Sequence, residues 1–247
     1  MSVVVITGAS RGIGAATALL AAKNDYSVVV NYKADKTSAT RVVDAITAAG
    51  GSAIAVAGDV GSETDVTDLF NTAISEFGQV DALVNNAGIL EQHMTLQNMT
   101  VERINRVINT NILGSLLCAR EAVKHMSTQN GGAGGSIVNV SSIAAKLGSP
   151  NEYVDYATSK GAIDTFTIGL ATEVADGGIR VNAVRPGVIY TEIHASGGEP
   201  ERVDRVKQSV PMKRGGTAEE VAQAILWLMS EEASYTTGAF LDVSGGR

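Results

Sequence analysis

The sequence predicts an α/β protein whose single parallel sheet of about seven strands is doubly wound, with helices on both faces. Three observations predict it. Short β-branched runs alternate with longer segments of helical spacing along the whole chain. The strand runs are apolar throughout rather than alternating, which suits a parallel sheet covered on both sides. Parallel neighbours also need a crossover helix between them, and the strict alternation supplies one each time.

Taken in order, VVVIT (3–7) opens the sheet, and Gly8, Gly12 and Gly14 follow before the first helical segment. Without Cβ atoms the backbone can turn tightly there and approach a pyrophosphate, while the helix N-terminus offers free N–H donors. The spacing is G-x-x-x-G-x-G, so position, after the first strand and opening a helix, carries the dinucleotide reading more than the general fingerprint does. SVVVN (27–31) is the second strand, and helical spacing over 37–49 leads to AIAVAG (53–58). A segment over 62–77 precedes ALVNN (82–86), and a long one over 101–126 precedes SIVNVS (136–141). Helical spacing over 156–175 leads to RVNAV (180–184), and over 217–229 to AFLDV (239–243). The Gly-rich NGGAGG (130–135) is too short to be a linker between domains and reads as a loop. Residues 1–247 therefore read as one domain. One region departs from the series. Residues 190–214 carry Gly197-Gly198, two prolines and many charges, with only a short helical stretch at 201–207. The region follows the C-terminal end of a strand, where open sheets bind ligands, and reads as a substrate lid; a solvated excursion is the plainer alternative.

Composition narrows the class. With 45% hydrophobic and 18% charged residues, the 247-residue chain is ordinary for a globular protein and long enough for a sizeable core. A net charge of −7 argues against a nucleic-acid partner. Cys118 lies in an apolar helical stretch and reads as a small core residue. His93, His125 and His194 share no ligand spacing, so no metal site is predicted and each reads as a solvated surface histidine; for His194 a substrate contact from the lid is the alternative. No apolar run approaches the ~18 residues of a membrane span, and MSVVVITGAS has no basic leader, so a cytoplasmic protein without a membrane partner is expected.

Acid–base chemistry gathers in SPNEYVDYATSK (149–160). On a helix Tyr156 and Lys160 share a face as an i, i+4 pair, roughly 5–6 Å apart at Cβ. Tyr153 lies seven positions from the lysine, ~10 Å along the axis at ~1.5 Å per residue. Tyr156 is the candidate acid. A free phenol titrates near ~10, and the lysine's charge should favour the phenolate; a drop of ~3 units corresponds to ~4 kcal/mol. Ser142, read as ending the fifth strand, can donate to a substrate oxygen, with Ser141 pointing to the opposite face.

Thr7-Gly8-x-x-x-Gly12-x-Gly14, Asn85-Asn86-Ala87-Gly88 and Tyr156-x-x-x-Lys160, in that order, resemble the signature set of the short-chain dehydrogenase/reductase family. Asp59-Val60, Asn111 in NTNILG, Ser141-Ser142, Pro186-Gly187 with Thr191, and the terminal DVSGG extend the likeness over nearly the whole chain. The resemblance implies a Rossmann fold and an oxidoreductase that moves hydride between a nicotinamide and a small carbonyl or alcohol substrate. Its tetrad would be Asn111, Ser142, Tyr156 and Lys160. Tyr156 would exchange the proton, Lys160 would also hold the nicotinamide ribose, and Asn111 would hold a water in a proton relay. Cofactor contacts are implied for Gly8, Ser10, Arg11, Gly12, Ile13, Gly14, Asn31, Tyr32, Lys33, Asp59, Val60, Asn86, Ala87, Gly88, Tyr156, Lys160, Pro186, Gly187 and Thr191. A homotetramer or homodimer packed through the 101–126 and 156–175 helices is implied as well.

Two choices within the family follow from charge. The second strand ends VVVNYKADK, with Asn31 where NAD-specific folds place an acid, Lys33 just beyond, and Arg11 before Gly12. A guanidinium meets a phosphate monoester with paired hydrogen bonds, so NADP is the expected cofactor; if Arg11 and Lys33 are merely solvated, NAD serves too. Glucose 1-dehydrogenases and 3-oxoacyl-carrier-protein reductases are the resembling subfamilies. The segments that dock an acidic carrier in the latter read STQNGGAGGS and EVADGG here, without a cation, so a free sugar, polyol or ketone is preferred. A non-catalytic dinucleotide-binding regulator is the alternative of another class, and it would need no convergent serine, tyrosine and lysine.

Overall fold

The computed structural model describes residues 1–247. Its sheet holds β1 (Ser2–Ile6), β2 (Tyr26–Tyr32), β3 (Ala53–Ala57), β4 (Ala82–Asn85), β5 (Gly135–Val140), β6 (Ile179–Pro186) and β7 (Phe240–Val243). The order is β3-β2-β1-β4-β5-β6-β7, and every pairing is parallel. Uniformly apolar strands are what such a sheet requires, because alternate residues feed two cores. Val4, Ile6, Val28 and Val30 enter one, with Ala18 and Ala21 of α1 (Gly12–Lys23) and Val221 and Ile225 of α10 (Ala218–Met229). Val3, Val5 and Val29 enter the other, with Leu69 and Phe70 of α3 (Glu63–Phe77), Ala119 and Ala122 of α5 (Gly114–Met126) and Ala171 of α7 (Val154–Glu173). Cys118 sits in this second core, and burial pushes its thiol up to about 12, as suits a packing residue.

From β1 the chain moves outward to β2 and β3, then returns on the far side as β4. A crevice therefore opens beyond the carboxyl ends of β1 and β4, the switch point of the sheet. No helix is long and apolar enough to cross a membrane.

Three elements differ from the sequence reading. The fifth strand stops at Val140, so Ser141 and Ser142 lie beyond it, where the chain turns into α6 (Ala144–Leu147). The helix expected over 101–126 runs that full length, but a π-turn at Asn109–Leu113 separates α4 (Val101–Ile108) from α5. Ser115 Oγ donates to Asn111 O at 3.2 Å inside that turn, and Gly114 lies against Val60, where a Cβ would come within 2.5 Å of Val60 Cγ2. α7 begins at Val154, two residues early, where the buried Asp155 carboxylate accepts from Tyr156 N at 2.9 Å and pairs with Arg103 at 2.8 Å. The 190–214 segment contains α8 (Ile193–Ser196) and α9 (Arg202–Val206) joined by turns.

Candidate active site

A cleft of about 970 Å³ runs along the carboxyl edge of the sheet. At one end Gly8 and Gly12 adopt φ of +60° and +55°, values that disfavour any side chain with a Cβ. The Asn85-Asn86-Ala87-Gly88 stretch braces this loop. Thr7 Oγ1 accepts from Asn86 N and Ala87 N at 3.0 and 2.9 Å, and Asn86 Nδ2 donates to Thr7 O and Gly8 O at 2.8 and 3.1 Å. The loop delivers the chain into α1, whose N-terminus has no side-chain cap. By contrast Asp35 caps α2 (Lys36–Ala48), Ser62 caps α3, Thr100 caps α4 and Thr217 caps α10. The uncapped end, at Arg11, Gly12 and Ile13, faces the cleft and is suited to an anionic group. The volume, the bare helix end and the glycine turns fit a dinucleotide.

Ser10, Tyr32, Lys33, Asp59, Val60, Ala87, Gly88, Pro186, Gly187 and Thr191 line the same cleft. Asn31 lines it too, and Gly14, Asn31 and Lys33 each have partners within the protein. Gly14 does not line it; a Cβ there would lie 2.5 Å from Asn86 Nδ2 and 2.7 Å from Gly8 O, so this glycine packs α1 against the loop. The Asn31 side chain is turned inward, accepting from Gly8 N at 3.2 Å and donating to Gly58 O at 3.0 Å. Lys33 is already engaged, 2.6 Å from Asp59 Oδ2.

At the other end Tyr156, Lys160 and Ser142 come together. The Lys160 ammonium lies 5.5 Å from the Tyr156 ring centroid and donates to Val140 O at 2.7 Å. Ser142 stands against the phenol, and its Oγ accepts from Ala144 N at 3.1 Å. Asn111 lies behind them, outside the cleft wall and fully buried. Its Oδ1 accepts from Ile89 N at 2.8 Å, and its Nδ2 donates to Ile89 O at 3.1 Å and Ser159 Oγ at 3.0 Å. The structure thus brings three of the tetrad to the cleft surface and holds the fourth behind the wall, within a π-turn of the kind often found at functional sites.

Burial dominates the electrostatics of this pair. Burial pushes the Tyr156 phenol up to about 12, with the Ser142 hydrogen bond partly pulling it back. Burial lowers Lys160 to about 8, opposed by the charge of Asp164. With burial the larger cause, Tyr156 rests as a protonated phenol, ready to donate.

The remaining wall is one the sequence marks poorly. Glu152, Tyr153, Arg202 and His194 close the substrate end. His194 is not a surface histidine. It is buried, with Nε2 3.0 Å from Ile189 O and Nδ1 without a partner, and burial lowers its pKa. His93 and His125 are exposed as expected, and no group of side chains has metal-ligand geometry. Arg202 carried no signal in the sequence, because its partner Glu152 is fifty residues away.

Comparison with known proteins shows the family. A family model described as Enoyl-(Acyl carrier protein) reductase matches residues 8–247. An uncharacterized oxidoreductase of Escherichia coli (strain K12), YgfF, is 60% identical, with both chains covered in full. The solved short-chain type dehydrogenase/reductase from Mycobacterium marinum superposes with a TM-score of 0.92 at 32% identity, covering 99% of this chain and 94% of that one. The chain belongs to the short-chain dehydrogenase/reductase family. Among other members of the family, glucose 1-dehydrogenase 2 of Bacillus subtilis (strain 168) is 41% identical over 98% of this chain and 93% of its own. A 3-ketoacyl-(acyl-carrier-protein) reductase from Brucella melitensis, solved in complex with NADH, gives a TM-score of 0.91 at 36% identity over 100% and 98% of the two chains. As a short-chain dehydrogenase/reductase the protein is an oxidoreductase of the nicotinamide-dinucleotide class.

Proposed function

We propose that this enzyme interconverts the carbonyl and alcohol of a small neutral substrate, a sugar, polyol or ketone, with NADP(H). The observation that carries the proposal is the convergence of Tyr156, Lys160 and Ser142 at one end of a cleft whose other end is the uncapped α1. When bound, the nicotinamide supplies or receives hydride. Tyr156 gives the carbonyl oxygen its proton, or takes the hydroxyl proton in the other direction, and Ser142 holds that oxygen. Lys160 holds the ribose and keeps a positive charge near the phenol. Asn111, pinned to Ile89 and Ser159, fixes the wall behind them.

Substrate class is supported by charge. The segments 127–136 and 173–178 meet where Gly135 N donates to Gly178 O at 3.0 Å, and they carry Glu173 and Asp176 but no lysine or arginine. An acidic carrier protein gains no attraction there, whereas a free substrate needs none. Residues 190–214 serve as the lid. The test is a panel of ketones, aldoses, polyols and a 3-oxoacyl thioester assayed with both cofactors. Wild type should turn over a free carbonyl or alcohol with NADPH or NADP, and Tyr156→Phe should lose at least about 10³-fold while still binding NADPH. Preference for the thioester would replace this reading with the carrier-protein one. NADPH binding with no turnover of any substrate would make the chain a binding module.

A further inference from the structure

Ser141, Asp164 and Arg185 lie outside the reacting set and form a nearly buried polar cluster next to it. Ser141 Oγ donates to Asp164 Oδ1 at 2.6 Å, with Lys160 O a longer second acceptor at 3.2 Å. Arg185 meets the other carboxylate oxygen, with Nε at 3.0 Å and Nη2 at 2.9 Å, and its guanidinium stacks 3.8 Å from the Phe240 ring centroid. The Asp164 and Arg185 side chains are only 15% and 13% exposed.

The sequence explains the placement. Tyr156, Lys160 and Asp164 occupy successive turns of one face of α7. Val140, the last residue of β5, and Ser141 just beyond it then grip that face: Val140 O accepts from the Lys160 ammonium, and Ser141 Oγ donates to Asp164. Ser142 follows at once and turns into the cleft. The other serine of the pair is thereby accounted for as a member of a clamp rather than as a spare donor.

We propose that Asp164 and Arg185 are a positioning pair that sets the location and charge of Lys160. The inference rests on the role given to Lys160 above. Asp164, one turn of α7 beyond Lys160, favours the charged form of the lysine, and Arg185 moderates the carboxylate by competing for it. The charged and titratable groups around Lys160 are Tyr156 and Asp164 on α7 and, behind Asp164, Arg185 on β6. Further out, Lys146 of α6 and Asp242 of β7 pair at 2.5 Å, and Asp242 Oδ1 lies 3.5 Å from Arg185. Removing the negative member should lower the proton affinity of Lys160, and removing the positive member should raise it. A role confined to packing predicts no such opposition of sign.

The experiment is the pH dependence of kcat/KM for carbonyl reduction in wild type, D164N, R185Q and the double variant. Lys160, held near 8 by burial, loses its charge as pH rises through that value, so activity should fall on the alkaline side. The alkaline limb should move down by about one pH unit in D164N, up by about half a unit in R185Q, and lie near wild type in the double variant. Ser141→Ala leaves both charges and should lower kcat about tenfold without moving the limb. The same shifts are read without turnover from the ¹³Cε resonance of Lys160 in lysine-labelled protein, identified by its loss in Lys160→Met. Shifts of one sign in both single variants, or no shift in folded variants, overturn the proposal. A wild type that reduces no carbonyl, with opposed resonance shifts, instead overturns the function and leaves the pair standing.

Discussion

Arg11 stands in the open at the head of α1, its guanidinium touching only Ser196 Oγ at 3.3 Å. It is free to meet a phosphate, whereas Lys33 would have to leave Asp59 first. No acid stands at the end of β2 to favour a bare ribose, and the Asn31 amide is spent on Gly8 and Gly58. Charge-assisted hydrogen bonds to one phosphate contribute about 1.5–3 kcal/mol, so Arg11→Ala should lower kcat/KM with NADPH roughly ten- to hundredfold and leave the NADH value nearly unchanged. Equal loss with both cofactors would assign Arg11 to the pyrophosphate or to the fold instead. At this scale the sequence revealed residue types and spacing, including the i, i+4 relation of Tyr156 and Lys160. It could not reveal that Asn31 turns inward, since that depends on Gly58 at the end of another strand. Nor could it reveal how strongly burial raises the Tyr156 phenol, because burial is a property of the assembled walls.

The irregular character of segment 190–214 was legible in the sequence, and its fastening was not. Glycines, prolines and charges between β6 and α10 mark an irregular segment. The structure adds a square of ion pairs tying α9 to the loop before α7. Arg202 meets Glu152 at 2.6 Å and Glu199 at 3.1 Å, and Arg205 meets the same two at 3.1 and 2.5 Å. Arg202 also stacks over the Tyr153 ring, 4.8 Å from its centroid, while the Tyr153 hydroxyl is 3.5 Å from Glu199. Burial opposes ionisation of Glu152, yet its arginine partners win and hold its pKa below the usual carboxylate value. Arg202→Ala should therefore loosen the substrate end and raise substrate KM about three- to tenfold, with a smaller change in kcat. Tyr153→Phe, which removes one long contact, should change KM less. Steady-state kinetics check both, and an Arg202→Ala enzyme with unaltered KM would show the square to be a surface ornament. The π-turn at Asn109–Leu113 was illegible for the same reason as the square. Both are settled by neighbours far away in sequence, here Val60, Ile89 and Ser159, and local helical spacing runs through 101–126 without a mark.

For the whole molecule, the doubly wound sheet was legible because strands buried on both faces must be apolar throughout, a signal that needs no partner to be read. Its outer faces pose a separate question. Val101, Ile108, Leu113, Leu116 and Ile168 are exposed on α4, the π-turn, α5 and α7, helices that lie side by side. α7 is also apolar well beyond its inward stripe, as expected of a helix covered on two sides. These side chains are between 38% and 65% exposed, and burying the exposed part of each against a second copy about a two-fold axis favours association. We expect a dimer or tetramer assembled through this face. Light scattering at micromolar concentration should give a mass at least twice that of one chain. Leu116→Glu with Ile168→Glu should halve or quarter it, because each pair of copies would then bury like charges opposite one another. A wild-type monomer at that concentration would end the idea, and an oligomer that survives both glutamates would move the interface elsewhere. The β7 edge of the sheet, where Trp227, Tyr235 and Leu241 are exposed, would then be the alternative surface.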